Sequence, residues 1–271
     1  MRIAIQGYEG CFHQIVAEEY FGRKVEILPC DTFRKVAEAV KHAEADYGVM
    51  AIENSIAGSI IANYQILQDE NLQVAGEYYL PIEQNLMVLP GVKLEDIREV
   101  ESHPMALLQC TEYLDTHSWR LIETEDTALS ARHVAEQGLR HSAAIASSLA
   151  AEMFGLKIIA PAINTVKNNY TRFMILKRYD HLYSADANKA SLYFKTDHRQ
   201  GSLLRALQTM ERVNMSKLQS YPIASEPWRY MFHVDMEFDC FDDYIRTLDE
   251  LQQVTSEIHV YGVYRKAENK Y

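Results

Sequence analysis

Apolar and polar residues alternate in short stretches through the first two thirds of the chain, and the stretches between them repeat apolar residues at intervals of three and four. The alternation predicts strands and the longer spacing predicts helices. In the first part of the chain the predicted strands are 2–6, 25–28, 47–52 and 72–79, with helices between them. Because strands and helices take turns, we expect an α/β fold with mainly parallel pairing.

The stretch 31–42 illustrates how a helix is predicted. Val36 and Val40 are four residues apart and fall on one helical face, while Lys41 suits the negative end of the helix dipole. Asp31 comes immediately before the apolar pattern, where a carboxylate can accept hydrogen bonds from the first backbone amides. We therefore expect Asp31 to cap this helix.

A second series of elements starts near residue 78. The predicted strands are 82–88, 98–102, 119–124, 143–146 and a final strand 171–176, with helices after Pro104, Asp126 and Ser147. Proline is well suited to the first turn of a helix because its missing N–H would have no partner there. The two series predict two α/β lobes side by side.

The pattern changes after a polar segment at 180–188, which we interpret as a linker. The order that follows is strand 190–195, helix 201–212, strands 217–221 and 229–238, helix 241–254 and strand 259–264. This βαββαβ order is that of a ferredoxin-like domain.

Charge and cysteine usage exclude several classes of protein. The 38 acidic and 27 basic residues give a net charge of −11, which argues against nucleic-acid binding. No apolar run is long enough for a secretory signal or a bilayer span, so we expect a cytoplasmic protein with no membrane partner. Cys11, Cys30, Cys110 and Cys240 are far apart in sequence, which predicts reduced thiols.

Motifs for cofactors and metals are missing from the sequence. It has no glycine-rich dinucleotide or nucleotide-binding loop, and its histidines and cysteines lack the spacing of metal ligands. We therefore expect chemistry without a cofactor and no metal site.

Four polar segments at predicted strand ends are candidates for the active site, because open α/β sheets bind ligands there. They are the glycine-containing segment 7–12, Glu53-Asn54-Ser55, Asp126-Thr127 and Thr171-Arg172. Structural roles are equally open: a tight turn for the first, helix caps for Asn54, Ser55 or Asp126, and a surface position for Arg172. Arginine beside a hydroxyl group would suit recognition of a carboxylate.

Seven segments together resemble those of the prephenate dehydratase family, in the same order and across nearly the whole chain. They are Gly7-Tyr8-Glu9-Gly10-Cys11-Phe12, Ile52-Glu53-Asn54-Ser55 with Gly58, Pro81-Ile82-Glu83-Gln84-Asn85-Leu86, Ser102-His103-Pro104-Met105-Ala106-Leu107 with Gln109-Cys110, Asp126-Thr127-Ala128, Ala143-Ala144-Ile145-Ala146-Ser147 and Asn169-Tyr170-Thr171-Arg172-Phe173. The chain departs from the family pattern at Tyr8, at Cys11-Phe12-His13 and at Gln84.

The resemblance implies a catalytic domain at 1–179 that folds like a type 2 periplasmic binding protein, with one lobe at 1–77 and 161–179 and the other at 78–160. It implies that Thr171 is the essential threonine and that Arg172 binds a substrate carboxylate. To these we add Glu53 as a proton relay for Thr171. The expected substrate-binding residues are Asn54, Ser55, Thr127, Ser147, Arg172 and Phe173.

The segment 189–271 resembles a regulatory ACT domain, which in this family binds phenylalanine at a subunit interface. The resemblance implies a homodimer or homotetramer and a possible allosteric ligand, L-phenylalanine. The implied regulatory residues are Gly201, Leu203, Asn214, Leu218, Gln219 and Ser220. The family has charged residues at the positions of Gln219 and Tyr221, so the resemblance is weaker here.

The implied activity is the conversion of prephenate to phenylpyruvate, water and carbon dioxide in phenylalanine biosynthesis. Because aromatisation supplies much of the driving force, the enzyme needs mainly to hold a dianion and assist departure of a hydroxyl group. Two alternatives are an arogenate dehydratase and a non-catalytic protein that senses amino acids, since one fold can serve several functions.

Overall fold

The computed structural model describes residues 1–22, 24–180, 182–223 and 226–268. The described residues divide into two compact units, one formed by those in 1–70 and 78–173, the other by those in 71–77 and 174–268. Within the described ranges, no helix combines the length and the apolar character that crossing a bilayer requires.

A six-stranded sheet forms the centre of the first lobe. Its strands are β1 (Arg2–Gln6), β2 (Glu26–Cys30), β3 (Tyr47–Asn54), β4 (Gly58–Ser59), β5 (Leu72–Pro81) and β11 (Tyr170–Arg178), and its helices are α1 (Phe12–Phe21), α2 (Phe33–Lys41) and α3 (Ile61–Glu70). The strand order is β2-β1-β3-β11-β5, with β4 paired to β3. β1 is parallel to β2 and to β3. β5 and β11 each contain residues of both compact units.

The predicted strands of this lobe are confirmed, and β3 extends to Asn54 where the apolar pattern predicts an end at residue 52. Helix α2 is also confirmed, but the expected cap is wrong. Thr32 is the N-cap, and its hydroxyl accepts a hydrogen bond from the Lys35 amide at 3.2 Å. The Asp31 carboxylate instead pairs with the Lys35 ammonium at 2.8 Å. A threonine one residue closer to the helix therefore takes the capping position.

The second lobe has a five-stranded sheet. Its strands are β6 (Asn85–Val88), β7 (Glu99–Ser102), β8 (Arg120–Glu123), β9 (Ser142–Ala146) and β10 (Lys157–Ala160), and its helices are α4 (Pro104–Gln109), α5 (Thr111–Leu114), α6 (Thr127–Glu136) and α7 (Ser148–Met153). The order is β10-β6-β9-β7-β8. Pro104 lies in the first turn of α4, as predicted.

The pairing in this second sheet is mixed, so the expectation of mainly parallel pairing is wrong here. β7 is parallel to β8 and β9, but β6 is antiparallel to β9 and β10. Parallel neighbours require a crossover, usually a helix, between consecutive strands. β6 instead follows β5 of the other sheet after a short connection, so no crossover determines its direction.

The second unit contains the βαββαβ order that the sequence predicts. Its elements are β12 (Lys189–Lys195), α8 (Ser202–Gln208), β13 (Asn214–Pro222), β14 (Tyr230–Glu237), α9 (Phe241–Val254) and β15 (Glu257–Tyr264). The four strands are antiparallel in the order β13-β14-β12-β15. Leu192, Phe194, Val234 and Leu251 lie in its apolar core, where strand residues two apart share one face.

Candidate active site

The end of β3 and the start of β11 are neighbours in the first sheet, and Asn54 connects them. The Asn54 Oδ1 atom accepts hydrogen bonds from the amides of Ile56 and Ala57, both at 3.0 Å. Its Nδ2 atom donates to Asn169 Oδ1 at 2.7 Å and to Thr171 Oγ1 at 3.0 Å, and lies farther, at 3.2 Å, from the Tyr170 carbonyl oxygen. All of these contacts are compatible only if the amide oxygen faces the turn, so the orientation of the Asn54 side chain is fixed.

Ser55 joins the same two segments through its backbone and side chain. Its amide donates to the Tyr170 carbonyl at 2.8 Å, and its hydroxyl accepts a hydrogen bond from the Tyr170 amide at 2.9 Å. Asn54 and Ser55 are therefore not helix caps, because no helix begins until Ile61. They hold the segment that precedes Thr171.

Thr171 is 8% exposed and faces the side of the sheet on which Asn54 lies. Because its oxygen accepts the Asn54 N–H, the hydroxyl proton remains available for donation. Phe173 shares that face and packs edge-on against His13, with ring centroids 5.0 Å apart. Burial lowers the pKa of His13 to about 4, so this ring is neutral near pH 7.

Arg172 and Glu53 lie on the opposite face, because successive strand residues alternate in direction. The Arg172 guanidinium is 3% exposed and lies 4.0 Å from a Glu53 oxygen. It is also 6.0 Å from the centre of the Tyr79 ring, within range of a cation–π interaction. Arg172 is therefore a buried cation and not a surface residue. The contact the structure shows for Glu53 is to Arg172, while that for Thr171 is to Asn54.

The glycine-containing segment 7–12 forms a turn. Its amides donate within the same lobe: Gly7 to the Cys30 carbonyl at 3.0 Å, and Gly10 to Gln14 Oε1 at 2.8 Å. The structure therefore shows the tight turn that the sequence analysis left open as an alternative for this segment. Those two N–H groups are satisfied by the protein and are not directed at a ligand.

The same turn contacts the second lobe. Ser147 caps α7, and its hydroxyl donates to the Gly10 carbonyl at 2.5 Å. A methyl group on Gly10 would lie 3.0 Å from the Ala150 Cα atom. The Ser147 side chain, which we expected to contact substrate, is thus engaged in joining the two lobes.

Asp126 and Thr127 begin helix α6 near this contact. Asp126 Oδ1 accepts hydrogen bonds from the amides of Ala128 and Leu129, at 2.8 and 3.0 Å, so it is the N-cap. Burial raises the pKa of the Asp126 carboxyl group. Thr127 is half-buried, and its hydroxyl has no hydrogen-bond partner in the part of the chain that the structure describes.

Two asparagines to which the sequence analysis gave no role complete the frame of the site. Asn164 Oδ1 accepts the Gln84 amide at 2.8 Å, and its Nδ2 donates to the Ile82 carbonyl at 2.9 Å. Asn169 accepts the Asn54 amide as described above. Both lie in the irregular segment before β11, where a short amide side chain can satisfy backbone groups that no ladder pairs. The sequence signal for these two asparagines was therefore their position in the irregular segment just before β11.

The expected regulatory residues lie in the second unit and fall into two groups. Gly201, with φ +78°, precedes α8, and Leu203 lines a cavity of about 400 Å³ together with Arg199 and Arg229. The remaining four, Asn214, Leu218, Gln219 and Ser220, lie on the edge strand β13 and are not among the described residues that line this cavity.

Comparison with known proteins points to one family. The family model described as prephenate dehydratase matches residues 3–181. An Arabidopsis thaliana protein named arogenate dehydratase/prephenate dehydratase 2, chloroplastic, is 34% identical over 97% of this chain and 72% of its own.

Solved structures match over almost the full length. One is a protein named GqqA and described as a novel type of quorum quenching acylase, with a TM-score of 0.90, 29% identity and 99% of each chain covered. Another is prephenate dehydratase from Arthrobacter aurescens in complex with L-Phe, with a TM-score of 0.88, 26% identity, and 100% of this chain and 91% of that chain covered.

Proposed function

Because this chain belongs to the prephenate dehydratase family, we propose that it converts prephenate to phenylpyruvate, water and carbon dioxide. In this reaction the bond to the ring carboxylate breaks, its electron pair completes the aromatic ring, and the hydroxyl group leaves from the opposite carbon with a proton. A carbon–oxygen lyase of this kind needs groups that hold two carboxylates and a donor for the departing oxygen.

The observation that carries the proposal is the buried Thr171 hydroxyl, whose oxygen accepts the Asn54 N–H at 3.0 Å. Its proton has no acceptor among the residues that the structure describes, so this hydroxyl can donate to a substrate. We assign it to the leaving oxygen of the substrate, with the proton supplied through water, because a threonine hydroxyl is too weak an acid to give up its proton alone.

Arg172 is the proposed partner of a substrate carboxylate. Its planar guanidinium can form two parallel hydrogen bonds, and burial strengthens its attraction for an anion. Glu53, 4.0 Å away, is placed to orient the guanidinium. Its predicted role as a relay to Thr171 would require water, since Glu53 lies with Arg172 on the opposite face from Thr171.

For Asn54 and Ser55 we propose a positioning role in place of direct substrate binding, because their polar atoms are used to hold residues 168–171. Thr127 has a hydroxyl available for substrate, whereas Phe173 and Ser147 contribute packing and the contact between the lobes. We further propose that the two lobes form a hinged cleft like that of a type 2 periplasmic binding protein, so that closure would exclude water.

The C-terminal βαββαβ domain is proposed to be an ACT domain that binds phenylalanine and inhibits the enzyme. The solved relative in complex with L-Phe supports this ligand class. Arg199 and Arg229, which line the cavity beside Leu203, could bind an amino-acid carboxylate. A cytoplasmic homodimer or homotetramer is part of the same proposal, and sedimentation velocity would test the oligomeric state.

The test is phenylpyruvate formation from prephenate, measured by absorbance with purified protein. Thr171→Val keeps the side-chain shape but removes the donor, so kcat should fall about 10²- to 10⁴-fold with little change in KM. Thr171→Ser keeps a hydroxyl and is the matched control, with kcat expected within about tenfold of the wild-type value. A valine variant that retained most of its kcat would exclude the assigned role.

The same assay distinguishes the alternatives. Arogenate as substrate, with phenylalanine as the measured product, tests the arogenate dehydratase activity that the name of the Arabidopsis relative also contains. Prephenate turnover repeated with added phenylalanine tests the regulatory proposal. A folded protein that turns over neither substrate would contradict the proposed function and favour an amino-acid-sensing role.

A further inference from the structure

Asn169 holds a buried amide group beside Thr171 that the proposed mechanism does not use. Asn169 is 1% exposed. Its Nδ2 atom is buried and has no hydrogen-bond partner among the residues that the structure describes. A buried donor without a partner destabilises the folded protein, so such a group calls for an explanation: a bound water, a ligand or a functional role.

The direction of this donor follows from a chain of hydrogen bonds. The amides of Ile56 and Ala57 fix the oxygen of Asn54, which turns its Nδ2 toward Asn169. That nitrogen donates to Asn169 Oδ1 at 2.7 Å, so the oxygen of Asn169 is also fixed. The remaining Nδ2 of Asn169 cannot exchange places with its oxygen without losing this bond.

Asn169 and Thr171 share the same donor. The Asn169 Oδ1 and Thr171 Oγ1 atoms both lie within 3.0 Å of Asn54 Nδ2. One amide thus occupies the acceptor atom of each of the two side chains. Asn169 is left with an N–H group to donate, and Thr171 with an O–H group. Neither side chain carries a negative charge.

We propose that Asn169 is a second donor to the substrate, which forms a hydrogen bond through Nδ2 to an anionic oxygen of prephenate while Thr171 serves the departing oxygen. The inference rests on the proposed function, because it assigns Asn169 to the same site and substrate. A neutral amide adds a hydrogen bond without a charge of its own. The positive charge would come from Arg172 on the other face of β11, and because the strand begins at Tyr170, the substrate would have to lie at this end of the strand to meet both faces.

Asn169→Asp is the informative variant because it keeps the oxygen that faces Asn54 and replaces the donor that has no partner with an acceptor. An aspartate keeps an oxygen toward Asn54, so the internal hydrogen bond survives, but it presents a carboxylate to an anionic substrate. If Asn169 contacts substrate, kcat/KM with prephenate should fall about 10- to 100-fold at pH 7.5, as expected for loss of a hydrogen bond to a charged group.

The pH profile supplies a readout that a purely structural role would not change. Protonation of the new carboxyl group restores a donor, so the kcat/KM of Asn169→Asp relative to wild type should rise as the pH is lowered from 7.5 to 5. Asn168→Ala is the matched control, because Asn168 is an exposed neighbour of the same type whose backbone carbonyl, not its side chain, accepts the Ser55 hydroxyl.

The outcomes separate this inference from the proposed function. Wild-type turnover with an impaired Asn169→Asp, an unimpaired Asn168→Ala and unchanged circular dichroism supports both. Wild-type turnover with an Asn169→Asp variant as active as wild type both at pH 7.5 and at pH 9, where the new carboxyl group has lost its proton, overturns the role of Asn169 alone. Absence of wild-type turnover overturns the proposed function and this assignment with it.

Discussion

Arg172 shows how much depends on a single residue in this site. Its side chain is 3% exposed, next to Glu53 and the Tyr79 ring. A buried cation is expensive to desolvate, and a Glu53 oxygen lies 4.0 Å from this one. The planar guanidinium is the group proposed above to form two parallel hydrogen bonds with a substrate carboxylate.

Arg172→Lys should therefore raise KM for prephenate by about tenfold or more with a smaller effect on kcat, because lysine keeps the charge but not the planar fork. Steady-state kinetics measures both constants. Arg178→Lys, at the exposed end of the same strand, is the control and should change neither. An unchanged KM in Arg172→Lys would rule out the bidentate contact.

At the scale of elements, a buried ion pair joins β5 to β12 in the second unit. Lys189 Nζ lies 3.0 and 2.9 Å from the two carboxylate oxygens of Glu77, and both side chains are 1% exposed. Removing one member of such a pair leaves the other charge buried, which costs far more than the intact pair contributes.

Lys189→Met should lower the free energy of unfolding by about 3 to 5 kcal/mol, measured by urea denaturation and circular dichroism. The double variant Lys189→Met with Glu77→Leu should recover part of that loss, because neither member of the pair is then left buried alone, and Glu237, 3.8 Å from Lys189 Nζ, keeps Lys266 at 3.2 Å. Lys195→Met is the matched control on the same strand, because its pair with Glu257 is partly exposed and worth about 0 to 1 kcal/mol. Equal losses in the two single variants would contradict the argument.

The elements of this protein were largely predictable from sequence, but their pairing was less so. Apolar periodicity locates β1 and α9 because a buried face leaves a regular trace in the sequence. The direction of β6 leaves no such trace, since it depends on how the chain passes from one sheet to the other. Sequence likewise brings Thr171 and Arg172 into one motif but cannot say that strand geometry faces them in opposite directions.

At the scale of the whole molecule, the two lobes of the catalytic segment meet at Gly10. Its φ of +88° favours glycine, and a Cβ atom there would lie 3.0 Å from the Ala150 Cα atom and 3.1 Å from its Cβ. Backbone atoms of a helix cannot rotate away, so any larger residue must push the lobes apart.

Gly10→Ala should therefore reduce kcat/KM by about 10- to 100-fold and lower the melting temperature. Gly138→Ala tests the backbone contribution alone, because Gly138 also has positive φ, +61°, but no described atom lies within 4 Å of the added methyl group. It should cost about 1 to 2 kcal/mol and leave kcat/KM unchanged. If the two variants behaved alike in kinetics and melting, crowding at Ala150 would be irrelevant.

The chain passes between the two compact units more than once, so a truncated protein would not contain one intact unit without part of the other. A gene fragment that stops at residue 181 retains the whole segment matched by the family model. It nevertheless deletes Lys189, the partner of Glu77, and Gly262, whose backbone packs against Val74. Residues 71–77 would then lose the neighbours with which they form a compact unit. A truncation at this point would therefore disturb β5 as well as remove the C-terminal domain, so point substitutions are the cleaner test of the proposed regulation.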